Sequence, residues 1–362
     1  MHQKIGPGAS MPFDDGWAAL NLEMPSRVPR TEYSAEQHWP LISKVTGIAV
    51  SPDSDEAIRG RVQRAFRRAW NFDLIWSTLI SREDMGAKRS YMGHAEYLED
   101  GSDFDAGIVT AFTDPEEALE FDPRESYGPI DRRATTRRFE EHYRANCERA
   151  PDAVNMTGVY VSCVSGLIEV FGWEMLLLAA GVDGERFGRL TQRYADWSLQ
   201  FFEALAEADV PVVMMHDDIV WSSGPFIRPE WYRERVFPAY RRLLRPLLDS
   251  GKKVLFTSDG DYTMFVDDIA AVGVHGFVLE PLTNLEYVAE RYGDTHAIIG
   301  NADTRILLRG VRSEIRAEVE RCMSIGKRCP GFFMAVGNHI PYNTPVDSAL
   351  YYNQVYEELA PR

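Results

Sequence analysis

The chain predicts an α/β fold of the (β/α)8, or TIM, barrel type. Three observations carry the prediction: eight short apolar runs rich in β-branched residues, helical patterns between them, and no Gly/Ser linker or repeat to break the alternation. The runs lie at residues 27–33 (RVPRTEY, the weakest), 72–77 (FDLIWS), 153–160 (AVNMTGVY) and 210–216 (VPVVMMH). They continue at 253–258 (KVLFTS), 275–280 (HGFVLE), 296–300 (HAIIG) and 331–336 (GFFMAV). Eight is the strand count of this barrel, and its usual size leaves residues 1–362 as one domain. Among the intervening helices, 229–248 is the clearest. Trp231, Val236, Tyr240, Leu243, Leu244 and Leu247 fall at i, i+3, i+4 spacing, Pro229 opens it and Ser250-Gly251 stops it. Residues 81–149 are too long for one loop plus helix and are rich in Asp, Glu, Arg and turn formers. They predict an insertion after the second strand, built of a hairpin and helices.

Composition excludes some classes of partner. Acidic residues outnumber basic ones 55 to 39, a net charge of −16, so the phosphate neutralisation that underlies nucleic-acid binding is disfavoured. At 45% hydrophobic and 26% charged residues the chain can bury a core. Cys147, Cys163, Cys322 and Cys329 show neither disulfide-framework nor metal-knuckle spacing, which suits a reducing compartment. The first 11 residues lack the apolar stretch of a secretory signal, and no run approaches a membrane span, so a cytoplasmic protein is expected.

In such a barrel the chemistry gathers just past the C-terminal ends of the strands. Those positions here hold Glu32, Trp76, Tyr160, His216-Asp217-Asp218, Asp259, Glu280, Asn301, Asp303 and Asn338-His339. So many carboxylates and two histidines at one mouth raise one another's pKa or are relieved by a cation. Strand alternation puts His216 and Asp218 on one face and Asp217 on the other, which makes His216 and Asp218 metal-ligand or acid/base candidates. The alternative is that Asp217 or Asp218 caps the next helix while His216 is hydrogen-bonded in the wall. Asp259, in Thr257-Ser258-Asp259-Gly260-Asp261, suits a hard cation or a plain turn equally. Glu280, held extended by Pro281, either aims at the mouth or is salt-bridged at its rim. His339 follows the last strand, where barrels often bind anions. Trp76, Asp217, Asn301, Asp303 and Asn338 are expected to contact substrate.

These residues resemble the uroporphyrinogen decarboxylase superfamily, whose cobalamin-linked branch includes coenzyme M methyltransferases and aromatic O-demethylases. The resemblance runs through PSRVP from Pro25, HDDIVWSSGPFIRPEWYRERVFPAY from His216, LFTSDGD from Leu255, FVLEP from Phe277, IIGNAD from Ile298 and GNHIPYNTP from Gly337. It implies a (β/α)8 barrel, often dimeric, with Tyr160 and His339 where the family keeps site residues. The true decarboxylases carry an Arg-rich stretch after the first strand, and this chain has Arg30-Thr31-Glu32-Tyr33-Ser34 there. The zinc methyltransferases use His-x-Cys after the fifth strand and Cys after the eighth, where this chain has Thr257, Asp259 and Asn338. A thiol-activating site is thereby lost, while a harder ligand set, His216, Asp259 and Glu280, stays available to zinc or another divalent metal.

The resemblance thus implies a methyltransferase that moves a methyl group from a small donor, such as a methoxylated aromatic, to a corrinoid on a partner protein. His216, Asp259 and Glu280 would hold the metal and Asp218 or Tyr160 would give the proton. Two alternatives stand beside it. One is a cofactor-free decarboxylase in which Asp217 or Asp218 meets a substrate N–H and His339 a carboxylate, with Arg305 and Arg228 the nearest cations. The other is a binding protein with a degenerate site.

Overall fold

The computed structural model describes residues 12–91, 94–97, 103–337 and 339–362. Contacts divide the chain into two compact units, each discontinuous in sequence: 1–76, 146–155 and 285–362 in the first, 77–145 and 156–284 in the second.

In the second unit four parallel strands form the frame. Thr157–Val159 pairs with Val212–His216, that strand pairs with Lys253–Thr257, and the last pairs with Gly276–Val278. All are buried on both faces, apart from the first residue of Lys253–Thr257, as apolar runs in a helix-flanked parallel sheet should be. The fit is close at Gly158, where a Cβ would lie 2.2 Å from the Met214 carbonyl oxygen, so no larger residue fits there.

The helices between these strands follow from local sequence. Asp183 caps Gly184–Glu207 by accepting from the N–H groups of Glu185 and Arg186, and the helix buries Phe187, Leu190, Tyr194, Phe201 and Leu205 along one face. Val164–Val182 is long and apolar enough by composition to cross a membrane, a feature that counting unbroken apolar runs missed. Most of it is buried in this unit, including Leu167, Phe171 and Leu176. The helix expected over 229–248 is not uniform: Pro229–Trp231 leads into a π-helical turn, Tyr232–Val236, before Phe237–Asp249 continues it. Pro238 has no N–H to close the regular ladder, which explains a widened turn just before it. The expected apolar stripe is buried throughout.

The inserted stretch holds an antiparallel hairpin, His94–Tyr97 with Asp103–Ala106, and the helices Pro115–Glu120, Pro123–Tyr127 and Arg132–Arg149. Two of these are capped by Asp114 and Asp122 with proline in the first turn.

In the first unit, Leu74–Ile75 pairs with Val154–Asn155 and Ala297–Ile299 with Phe332–Phe333, both parallel. Residues 27–33, expected as a strand, make isolated bridges instead, Arg27 with Pro361 and Arg30 with Met334. Pro29 supplies no N–H there, so its carbonyl alone is used, accepting from Met334 N–H. The expected run 153–160 is interrupted at Met156, its two halves serving different units.

Candidate functional site

The strand Val212–His216 delivers His216 and, two residues on, Asp218. In the register with Lys253–Thr257, His216 stands opposite Thr257. Continuing both chains by two residues sets Asp218 beside Asp259, and their ligand atoms together with those of His216 lie within 4.8 Å of one another. His216 is 3% exposed and Asp259 is open to solvent, so the group has a buried wall and an accessible side.

Each member is held. His216 Nε2 lies 3.2 Å from Asp218 Oδ1, and its Nδ1 lies 3.2 Å from the carbonyl oxygen of Tyr160. That carbonyl accepts only, so Nδ1 carries the proton and Nε2 faces the carboxylates. Tyr160 also lays its ring flat on the imidazole, centroids 3.8 Å apart and planes 9° apart. Asp218 Oδ1 accepts from the Asp259 N–H at 3.0 Å. Burial alone would depress the His216 imidazolium, but Asp218, then Asp259 and the Tyr160 carbonyl, carry its pKa up to about 9. Burial alone would raise the Asp218 carboxyl, but His216 and the donors from Asp259 and Ser165 hold it below its ordinary value. Asp218, expected as a proton donor, is therefore an ionised acceptor at neutral pH.

Asp217 is a clear correction. It is fully buried, and its oxygens accept from the N–H groups of Cys163 (3.1 Å), Val164 (3.0 Å) and Ser165 (2.7 Å) and from the Tyr240 hydroxyl (2.5 Å). It caps the helix that precedes it, Val164–Val182, and has no face left for substrate. Burial pushes its carboxyl up to about 6, against the pull of those four donors. Glu280 is a second correction: it stands outside the ligand group, half-buried past the end of Gly276–Val278, and Asp218 takes the third place.

The loop that carries Asp259 is fixed by Gly260. With φ +82° and a would-be Cβ 2.6 Å from the Trp221 carbonyl oxygen, the position accepts only glycine. Gly260→Ala is expected to cost about 1–3 kcal/mol, read from the urea midpoint, since the strain and the backbone clash act together.

The remaining expected residues belong to the first unit. His339 Nδ1 lies 2.5 Å from Ser34 Oγ, and Trp76 meets the Tyr33 ring edge-on at 5.0 Å. Two others are held in structural hydrogen bonds. Asp303 caps Thr304–Arg309 through the Arg305 N–H and grips the Arg305 guanidinium with both oxygens. Removing that cap by Asp303→Ala is expected to cost about 1 kcal/mol, read from thermal unfolding. Asn301 is buried with Oδ1 accepting from Arg321 at 3.1 Å. Asn338 lies outside the described residues. Sequence reasoning overlooked Ser165, whose hydroxyl accepts from the Asp218 N–H at 2.6 Å, because nothing local to residue 165 points 53 residues ahead.

Arg30 bears on the comparison with decarboxylases. It is fully buried, ringed by Trp70, Tyr356 and Tyr352 at 4.4, 4.7 and 5.1 Å, with Nε 3.0 Å from Glu32 Oε1. It cannot reach a substrate carboxylate.

Known proteins place these features. The uroporphyrinogen decarboxylase from Aliivibrio salmonicida is 27% identical over 177 residues, 47% of this chain and 48% of the relative. That from Carboxydothermus hydrogenoformans is 24% identical over 176 residues, 49% of each. The chain thus spans about half the length of the curated relatives it matches. A methyltransferase from Methanosarcina mazei superposes with a TM-score of 0.62 at 16% identity, over 97% of this chain and 99% of that one. At that identity the likeness speaks for the fold alone, and it is the (β/α)8 barrel class expected from the sequence. The family model described as uroporphyrinogen decarboxylase (URO-D) matches residues 139–358, well over half of the chain. By that match the chain belongs to the uroporphyrinogen decarboxylase family.

Proposed function

We propose that this protein is a metal-assisted methyltransferase of the family, taking a methyl group from a small methoxylated donor and passing it to a reduced corrinoid on a partner protein. The observation that carries this reading is the His216, Asp218 and Asp259 group. It fits a divalent cation in three respects. A nitrogen and two carboxylate donors suit zinc or a similar ion. Two carboxylates balance its charge once the His216 imidazole gives up its Nε2 proton on binding. The Tyr160 carbonyl fixes Nδ1–H and so turns Nε2 toward the group, the usual arrangement behind a ligating histidine. A divalent cation held there by His216, Asp218 and Asp259 would supply Lewis acidity to the donor's ether oxygen.

The chain's own residues do the rest. Asp218 stays ionised and holds the Asp259 backbone and His216 in place. Tyr160, on the face of His216, donates its phenolic proton to the leaving oxygen as the carbon–oxygen bond breaks and the methyl group departs.

A second reading, cofactor-free decarboxylation, is favoured by one observation: without a metal, His216 and Asp218 form an ion pair at 3.2 Å that offers a charged proton donor. Among the described residues, three candidate cationic clamps are already engaged. Arg30 is sealed among aromatic rings, Arg305 is taken by Asp303, and Arg228 sits 3.7 Å from Glu234.

Incubation of the zinc-loaded protein under anaerobic conditions with methoxylated aromatics and reduced cobalamin tests the proposal. Methylcobalamin should form, Asp259→Asn should lose at least about 100-fold in rate, and Glu280→Gln should keep wild-type turnover. Turnover of uroporphyrinogen without metal, and none of any methoxylated donor, would favour the second reading.

A further inference from the structure

Ser165, the second residue of helix Val164–Val182, is 3% exposed and joins two carboxylates of opposite character. Its backbone N–H donates to buried Asp217 at 2.7 Å. Its hydroxyl oxygen accepts from the Asp218 N–H at 2.6 Å and lies 3.3 Å from Asp218 Oδ2. A hydroxyl has one hydrogen and two lone pairs, so it can accept from the backbone of Asp218 while donating to its side chain. This small ring ties Oδ2 back toward the helix. The other oxygen, Oδ1, is left to meet His216 Nε2 at 3.2 Å and the Asp259 N–H at 3.0 Å. Asp217 in turn holds Ser165 in register, because it clamps the N–H groups of Cys163, Val164 and Ser165 together and is itself seated on Tyr240.

We infer that Ser165 is a positioning residue of the metal site: it selects which Asp218 oxygen faces the cation, and the Asp217 clamp sets Ser165 for that task. The inference rests on the metal reading given under Proposed function. It assigns to the buried end of one helix the outer-shell role that a carboxylate or carbonyl plays behind many metal ligands. Without the hydroxyl, the Asp218 carboxylate is free to swing and its backbone N–H loses its acceptor, so a preformed ligand becomes one that must be ordered on binding.

The test is zinc affinity of the intact protein, by competition with a chromophoric chelator, beside the urea midpoint of each variant. Ser165→Ala should raise the zinc Kd by about 10–100-fold. Ser165→Thr keeps the hydroxyl and should restore affinity to within about threefold of wild type. Tyr240→Phe removes one of the four donors to Asp217 but leaves the three backbone N–H bonds that hold Ser165 in register, so it should lower the urea midpoint and leave the Kd within about threefold. That split separates positioning from mere stability. Wild-type affinity in Ser165→Ala, or a Kd that follows the urea midpoint across all three variants, overturns the inference while the metal reading stands. Failure of the wild-type protein to bind zinc overturns the metal reading and this inference with it.

Discussion

Asp217→Ala is expected to lower the free energy of unfolding by about 3–5 kcal/mol, the largest single effect at the candidate site. The substitution leaves three buried N–H groups at the start of Val164–Val182 and the Tyr240 hydroxyl without their acceptor. It also removes a negative charge from the positive end of that helix. Asp217→Asn, with one acceptor oxygen instead of two, should lose about half as much. Urea unfolding followed by circular dichroism measures both. A curve for Asp217→Ala that overlays wild type would remove the clamp from the account.

A second large effect is expected from Glu32→Ala. This carboxylate accepts from Arg30 Nε at 3.0 Å, the Tyr352 hydroxyl at 2.8 Å and the Val336 N–H at 3.0 Å. Burial raises its pKa, and the Arg30 guanidinium pulls it back down. With Glu32 gone, a fully buried guanidinium is left without its counter-charge, at a cost of about 3–5 kcal/mol. Replacing both partners by apolar residues, Arg30→Met with Glu32→Leu, should be far milder than Glu32→Ala alone, because no uncompensated charge remains. Urea midpoints of the two variants give the comparison; a double variant as unstable as the single one would show that the pair contributes more than charge balance.

The parts of the site that could be read from the sequence are those fixed by strand periodicity. His216 ends its strand with Asp218 two residues on, and parallel pairing with Lys253–Thr257 brings Asp259 alongside. The same reasoning overreached at Glu280, which also lies two residues beyond its last paired residue, Val278, yet stands outside the ligand group. Asp217 was placed on the correct face of its strand but given the wrong partner. Its donors lie 52 to 54 residues earlier and at Tyr240, and no local signal points to them. Asp303 was legible and misread, since an Asp just before Thr304-Arg305-Ile306 is a helix-capping pattern. At the level of fold, the eight runs marked where strands form, but Pro29 thins the first to isolated bridges and Pro238 widens a helical turn. Both prolines were visible, and each acts through a missing N–H.

The central claim is that His216, Asp218 and Asp259 form a metal site. Elemental analysis by mass spectrometry of untagged protein purified without chelator, with His216→Ala beside it, tests this most directly. The account predicts close to one divalent metal per chain in the wild-type protein, zinc foremost, and its loss in the variant while the circular dichroism spectrum is unchanged. Metal-free wild-type protein that also fails to take up added zinc would contradict it and return the His216 and Asp218 pair to proton transfer.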